Sequence, residues 1–246
     1  ISKIGFKNYT YRNIVTDATM AAEFFEGKMS IDDPNLKFNA VGSIDLRENI
    51  NSINIQANLD TALLKPLKLS KKDIVINTSL DLNIRGLDID SIVGEANFID
   101  SYFKYEEREL NIDTLKIISL KNSEGRDFGL DSDFVNLSVA GNFEFSQFYE
   151  DIIRLVKEYK LNFLNNQQNI NNYYANKRKT EYDKYDLDFD IELVNLNPIS
   201  NLFLPGLSMS DSTAFQGSFS GGYTSILSLN GFIDTLSYNG IEFFDS

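Results

Sequence analysis

Histidine, cysteine and tryptophan are all absent from the 246 residues. Without Cys and His there is no Cys/His zinc centre, thiol nucleophile, Ser-His-Asp triad or disulfide staple. An enzyme built from this chain would have to work with carboxylates, lysine, tyrosine or a hydroxyl, so a role without catalysis is expected. The missing Trp leans away from a sugar-binding sandwich, which stacks its ligand on flat aromatic platforms. Basic residues are few beside acidic ones, 23 against 36, for a net charge of −13. Nucleic acid is therefore not an expected partner, because phosphate contacts rest on clustered Lys and Arg. No apolar run approaches the ~18–20 residues that cross a bilayer, and no charged-then-apolar leader opens the chain. It starts at Ile1 without a Met and stops just after Phe243 and Phe244, and it reads as a segment of something longer.

What is present is a folded, strand-rich chain. Hydrophobic residues make up 42% and charged residues 24%, enough apolar surface to bury and too little charge for disorder. The dominant pattern has period two. Ile74, Ile76, Thr78, Leu80, Leu82 and Ile84 alternate with polar residues, and Leu187, Phe189, Ile191 and Leu193 alternate with Asp186, Asp188, Asp190 and Glu192. The same holds for Leu36 and Phe38, for Ile53 and Ile55, and for Val135, Leu137 and Val139. Successive side chains of a strand point to opposite faces, so each segment is a ribbon with one apolar and one wetted side. That is the one-sided antiparallel pattern, and roughly fifteen such strands are expected at the usual spacing of short β elements.

Several strands open on Gly-x-apolar-x-apolar, at Gly27, Gly42, Gly94 and Gly141, and more weakly at Gly217 and Gly231. Each Gly falls on the apolar face and leaves a notch where the sheet can curl toward that side. Three segments break the alternation. Asp60 to Leu69, with Leu63, Leu64 and Leu67 around Pro66, reads as a short helix or an apolar plug. Ser146 to Phe163 carries Phe148, Ile152, Leu155, Val156 and Tyr159 at helical spacing, with Ser146 as its cap. Asn165 to Lys184, rich in Asn, Gln, Tyr and Lys, reads as a polar loop, its middle open to helix; a short helix follows Asn197 and Pro198. The organisation expected is a β segment over 1–164 that ends in the 146–163 helix, a loop over 165–184, and a second β segment over 185–246.

The acidic runs at Asp131 and at Asp186 to Glu192 could hold calcium. Carboxylates along one strand face stand ~6.6–7 Å apart, however, and neither run has the glycine-turned loop that wraps an ion, so a solvated face is the stronger reading. No metal and no cofactor are expected. One-sided strands must still hide their apolar faces. A sandwich or barrel does so by closure, and an open half-pipe does so by holding lipid chains; the alternation alone leaves the two about even.

The order of the segments adds a resemblance. FKNYTYRNI from Phe6 to Ile14 is followed by FFEGKMSI from Phe24, by DDPNLKFNAVGSIDL from Asp32, and by the plug at Leu63 and Leu64. The Gly94 strand, the Gly141 strand with its helix, and LFLPGL from Leu202 ahead of QGSF from Gln216 complete the series. Over most of its length the chain resembles the middle of the TamB family (translocation and assembly module subunit) in its Bacteroidetes-type form, among the AsmA-like, bridge-like lipid-transfer proteins.

The resemblance implies an all-β, elongated and curled antiparallel sheet of β-taco type, an open hydrophobic groove with a few short helices. It implies a protein of the periplasm of a Gram-negative bacterium, bridging inner and outer membranes. Such a protein is held in the inner membrane by an N-terminal anchor and docks on an outer-membrane barrel of the TamA or BamA type, with room for a lipoprotein partner. The implied work is conduction of phospholipids and support of outer-membrane protein assembly, with no catalytic residue. The acyl chains would run over Leu36, Phe38, Ile53, Ile55, Ile74, Ile76, Leu80, Leu82, Val135, Leu137, Val139, Leu187, Phe189, Ile191 and Leu193. Fifteen strands ~4.8 Å apart would carry them over about 70 Å. The triplets that begin at Asp60, Asp90, Asp113, Asp211 and Asp234 resemble the glycosylation acceptors of exported Bacteroidetes proteins. Other readings are a scaffold that templates barrel strands at open sheet edges, and a surface β-sandwich that binds glycan or calcium.

Overall fold

The computed structural model describes residues 3–47, 51–211 and 213–244. Twelve strands form one antiparallel sheet that does not close on itself. The one-sided strands make it: β3 (Ile14–Ala21), β4 (Phe24–Asp33), β5 (Leu36–Asp45), β6 (Ser52–Leu63), β7 (Ile74–Arg85), β8 (Val93–Tyr105), β9 (Arg108–Lys121), β10 (Arg126–Ser132), β11 (Val135–Gly141), β12 (Tyr185–Leu193), β14 (Thr213–Gly221) and β15 (Ile226–Phe232). Chain neighbours pair in succession, so the sheet is a meander with β3 and β15 at its open edges. The remaining strands stand apart from it: β1 (Lys3–Phe6) and β2 (Tyr9–Arg12) form a hairpin, and β13 (Leu207–Met209), β16 (Thr235–Tyr238) and β17 (Ile241–Phe244) form a three-stranded sheet. The expectation of about fifteen strands in one stack is therefore corrected to twelve. At ~4.8 Å per step the stack is about 50 Å long, shorter than the 70 Å expected.

The glycines let strands approach where a side chain would not fit. A Cβ on Gly42 would lie 2.0 Å from the Asn54 carbonyl, and one on Gly94 would lie 2.1 Å from the Asn83 carbonyl. Gly94 also has φ +132°, in the region that favours glycine. Asp60 to Leu69 is no helix. β6 runs on to Leu63, a turn over 64–68 contains Pro66, and Leu67 is almost wholly buried, so the plug is the reading that holds.

The helices are α1 (Phe145–Leu164), α2 (Gln167–Lys177) and α3 (Asn197–Phe203). α1 and α2 are inserted between the paired strands β11 and β12. α2 occupies the middle of the stretch read as a polar loop, with the Asn166 side chain accepting from the Asn169 amide as its cap. Ser146 does not cap α1; Glu144 stands at the N-cap without a side-chain bond. The open amide is met from another element instead. Asp90 accepts from the Ser146 amide at 2.9 Å with one carboxylate oxygen and from the Ser146 hydroxyl with the other. Beside it, the fully buried Arg126 donates to the carbonyls of Ile92 and Asp90 and to the Ser119 hydroxyl, and stacks over Phe145.

Burial raises the Asp90 pKa, but the two Ser146 bonds and the nearby Arg126 and Lys121 outweigh it, so the carboxyl sits below its ordinary value. A depressed carboxyl contributes stability above its unfolded pKa and loses it as pH falls through the folded one. Asp90→Ala is expected to cost about 1 kcal/mol at neutral pH, the usual worth of a helix cap. In urea titrations the gap from the unaltered chain should close as pH drops below 3.8, the ordinary value of this carboxyl. A gap that is independent of pH would remove the charge from the account.

Candidate functional site

Strand register gives all twelve strands a shared apolar face, although Val15, Phe24, Val41, Ile99, Ile118 and Leu120 lie on the other. Starting at one open edge, Ala18 stands beside Gly27, then Gly42, Ile55, Leu82 and Ala96. The same row continues through Ile117, Leu130, Leu137, Ile191, Phe215 and Gly231 at the other edge. No polar side chain interrupts it. The adjacent row runs from Met20 and Phe25 through Ile44, Ile53, Ile84 and Gly94. It then passes Ser119, Phe128, Val139, Phe189, Gly217 and Leu229. Its polar member, Ser119, is occupied internally, donating to Ile92 and accepting from Arg126. On the opposite face the register aligns Val41, Gln56, Asp81, Asn97, Lys116 and Asp131, a mostly hydrophilic row.

Every groove residue expected from the sequence lies on the apolar face. Leu36, Phe38, Ile53, Ile55, Ile74, Ile76, Leu80, Leu82, Val135, Leu137, Val139, Phe189, Ile191 and Leu193 are half-buried, and Leu187 is buried. The structure adds side chains that sequence reading passed over, chiefly Phe98, Leu115, Ile117, Leu130 and Phe215. β8 and β9 hide theirs because both strands slip by a residue midway. Asp100, at φ +49°, opposes no partner, so Ala96 and Phe98 share a face with Phe103 and Tyr105 although their numbers change parity. A bulge at Asp60 and Thr61 does the same to Leu59 and Ala62 in β6.

Two helices cover the face in part. α1 lays Phe148, Ile152 and Leu155 over Leu187, Phe219 and Val139 at one end of the strands. At the opposite strand ends α3 seats Leu202 and Ile199 against Leu110, Ile112, Phe103 and Val135. Arg108 fixes that contact by donating to the Leu202 carbonyl at 2.8 Å. Neither helix cluster reaches Ile53, Ile55, Leu80 or Leu82 in the middle of the face.

Enclosed volume lies elsewhere. One hollow, of about 770 Å³, is a trough on the opposite face lined by the registered residues Asp17, Lys28, Val41, Gln56 and Asp81, with Val15 and Ile99 among its apolar walls. A second, of about 610 Å³, lies on that face between Lys116, Asp131, Asn136, Asp190 and Gln216. The apolar face itself is a broad strip of twelve strands.

Among the described residues no three carboxylates converge on a point that could hold a metal ion, and no helix is long and apolar enough to cross a membrane. Of the hydroxyls in the acceptor-like triplets, Ser91 and Thr114 are exposed, Thr61 and Thr235 are half-buried, and Ser212 lies outside the described residues. No family model, curated protein or solved structure matches the chain.

Proposed function

We propose that the apolar face holds phospholipid acyl chains and passes them along the sheet, as the TamB-like sequence pattern implies. The uninterrupted row from Ala18 to Gly231 carries this reading. An apolar strip crossing a whole sheet is too large to leave against water, and monomeric proteins rarely expose contiguous patches beyond a few hundred Å². Acyl chains satisfy it without a second sheet. They need no hydrogen bonds from the row and gain from contact with any Ile, Leu or Phe in it, so they bind everywhere along it at similar strength. That is what conduction asks of a surface, whereas a shaped pocket would hold one molecule in one place. On this reading the protein works in the periplasm between the two membranes, beside an outer-membrane barrel, and α1 and α3 are partial lids at the two rims.

Native mass spectrometry of the purified chain, with extraction of the lipids that accompany it, tests the reading. Several phospholipids per chain are expected. A lipid-free, monodisperse chain would overturn it and favour strand templating at β15, an edge with no charged residue and with every side chain exposed.

A further inference from the structure

α1 is apolar on two sides. Its inner side packs on the sheet through Phe148, Ile152 and Leu155. Its outer side presents Tyr149, Ile153, Val156 and Phe163, which are 68%, 53%, 61% and 89% exposed. The spacing i, i+4, i+7, i+14 places them in one stripe, which Leu164 extends. A helix that meets only the sheet, α2 and water has no use for that second stripe.

Charge says what covers it. Lys160 is exposed within the stripe and Lys157 at its margin, where its ammonium lies 5.1 Å from the Tyr173 ring; two of the three acids of α1 are held in ion pairs. Asp151 is turned inward onto Arg154, and Glu158 pairs with the buried Lys177. Glu150, the other acid of α1, lies at the same margin as Lys157, which leaves Lys160 as the charge within the stripe. Residues 145–184 hold seven basic and five acidic side chains, a net +2, which leaves −15 of the total −13 to the rest of the chain.

We propose that the outer stripe of α1 docks on an anionic phospholipid surface. Val156, Ile153 and Phe163 would sit among the upper acyl segments, the Tyr149 hydroxyl at headgroup level, and Lys157 and Lys160 against the phosphates. The same charges disfavour a second copy of the chain, since two stripes face to face would bring like cations together. The strongly acidic remainder is repelled by such a surface, which confines contact to this helix. This inference stands apart from the reading of the sheet, because the stripe's side chains are exposed and lie about a quarter turn around the helix from those packed on the sheet.

Flotation of the purified chain with phosphatidylcholine vesicles, and with vesicles half phosphatidylglycerol, tests it. Binding is expected to the anionic vesicles at low salt, weakening as salt is raised. The double substitution V156D/F163D should weaken it roughly tenfold or more, with an unchanged unfolding midpoint because both positions are exposed. K157Q/K160Q should remove the preference for phosphatidylglycerol. Lipid co-purifying with the sheet should be the same in all of these variants, which separates this inference from the sheet reading. Three results would overturn the inference: no vesicle binding, equal binding by V156D/F163D, or a concentration-dependent dimer that those substitutions abolish.

Discussion

Ile191→Asp is expected to reduce the phospholipid carried by the purified chain several-fold while the chain still folds. Ile191 sits mid-strand in β12, with Leu137 and Phe215 as its neighbours in the uninterrupted row. It is half-buried, and neither α1 nor α3 packs on it. A carboxylate there stays in contact with water in the lipid-free chain, so the folding penalty is about 1–2 kcal/mol and not the several expected in a dry core. For an acyl chain crossing the row the same carboxylate is a hydrated charge set in its path. Passage then requires either stripping that hydration or leaving the sheet, and both are costly. Lipid count by native mass spectrometry and the urea midpoint are the paired readouts. Full lipid occupancy in a folded Ile191→Asp chain would sink the conduit, and global unfolding would mean that the row packs against something as a closed core does.

The extent to which this was legible in the sequence follows from what period two can and cannot encode. β12 and most of β7 declared both their strand nature and their inward face, because no bulge interrupts their alternation and acids mark the outer side. Where a bulge inserts a residue, as at Asp60 in β6 and Asp100 in β8, alternation changes phase and a linear reading loses the face. The single row that makes the site is therefore visible in the sequence only in pieces, and Leu115 and Ile117 escape it. Whether the strands join one stack or several is set by long-range pairing, which leaves little local trace; this is why β13, β16 and β17 could not be separated from the main sheet. α2 carries no apolar periodicity and is built from Asn, Gln and Tyr, so its helix depends on the Asn166 cap and on Lys177 and Tyr173 binding Glu158. The α1 cap was misassigned to Ser146 because the true partner, Asp90, lies 56 residues away in sequence.

Phe219→Ala is expected to be the most damaging single truncation, at about 3–5 kcal/mol, the range for deleting a buried phenyl ring. Phe219 is wholly buried, edge-on to Phe148 of α1 at 5.3 Å and tilted against Tyr185 at 6.0 Å. Phe143, Leu155 and Leu187 complete its surroundings. It is thus the point where α1 is fastened to β12 and β14, and the cavity left behind cannot collapse without moving a helix or a strand. Ile191→Ala, three registered positions away on the same face by way of Leu187 and Phe189, should cost less, about 1–2 kcal/mol, since Ile191 is only partly buried and no helix packs on it. The comparison probes how the apolar face is hidden. An open strip packed only at its rims predicts a steep difference between the two truncations, read as urea midpoints in lipid-free chain. Equal losses would mean that the middle of the face is packed as densely as the ground under α1, and the open sheet would then have to be abandoned as the working form. A domain's total stability is commonly 5–15 kcal/mol, so Phe219→Ala alone can bring the region under α1 close to its folding threshold. The α1 stripe should then lose its vesicle binding along with the helix that presents it.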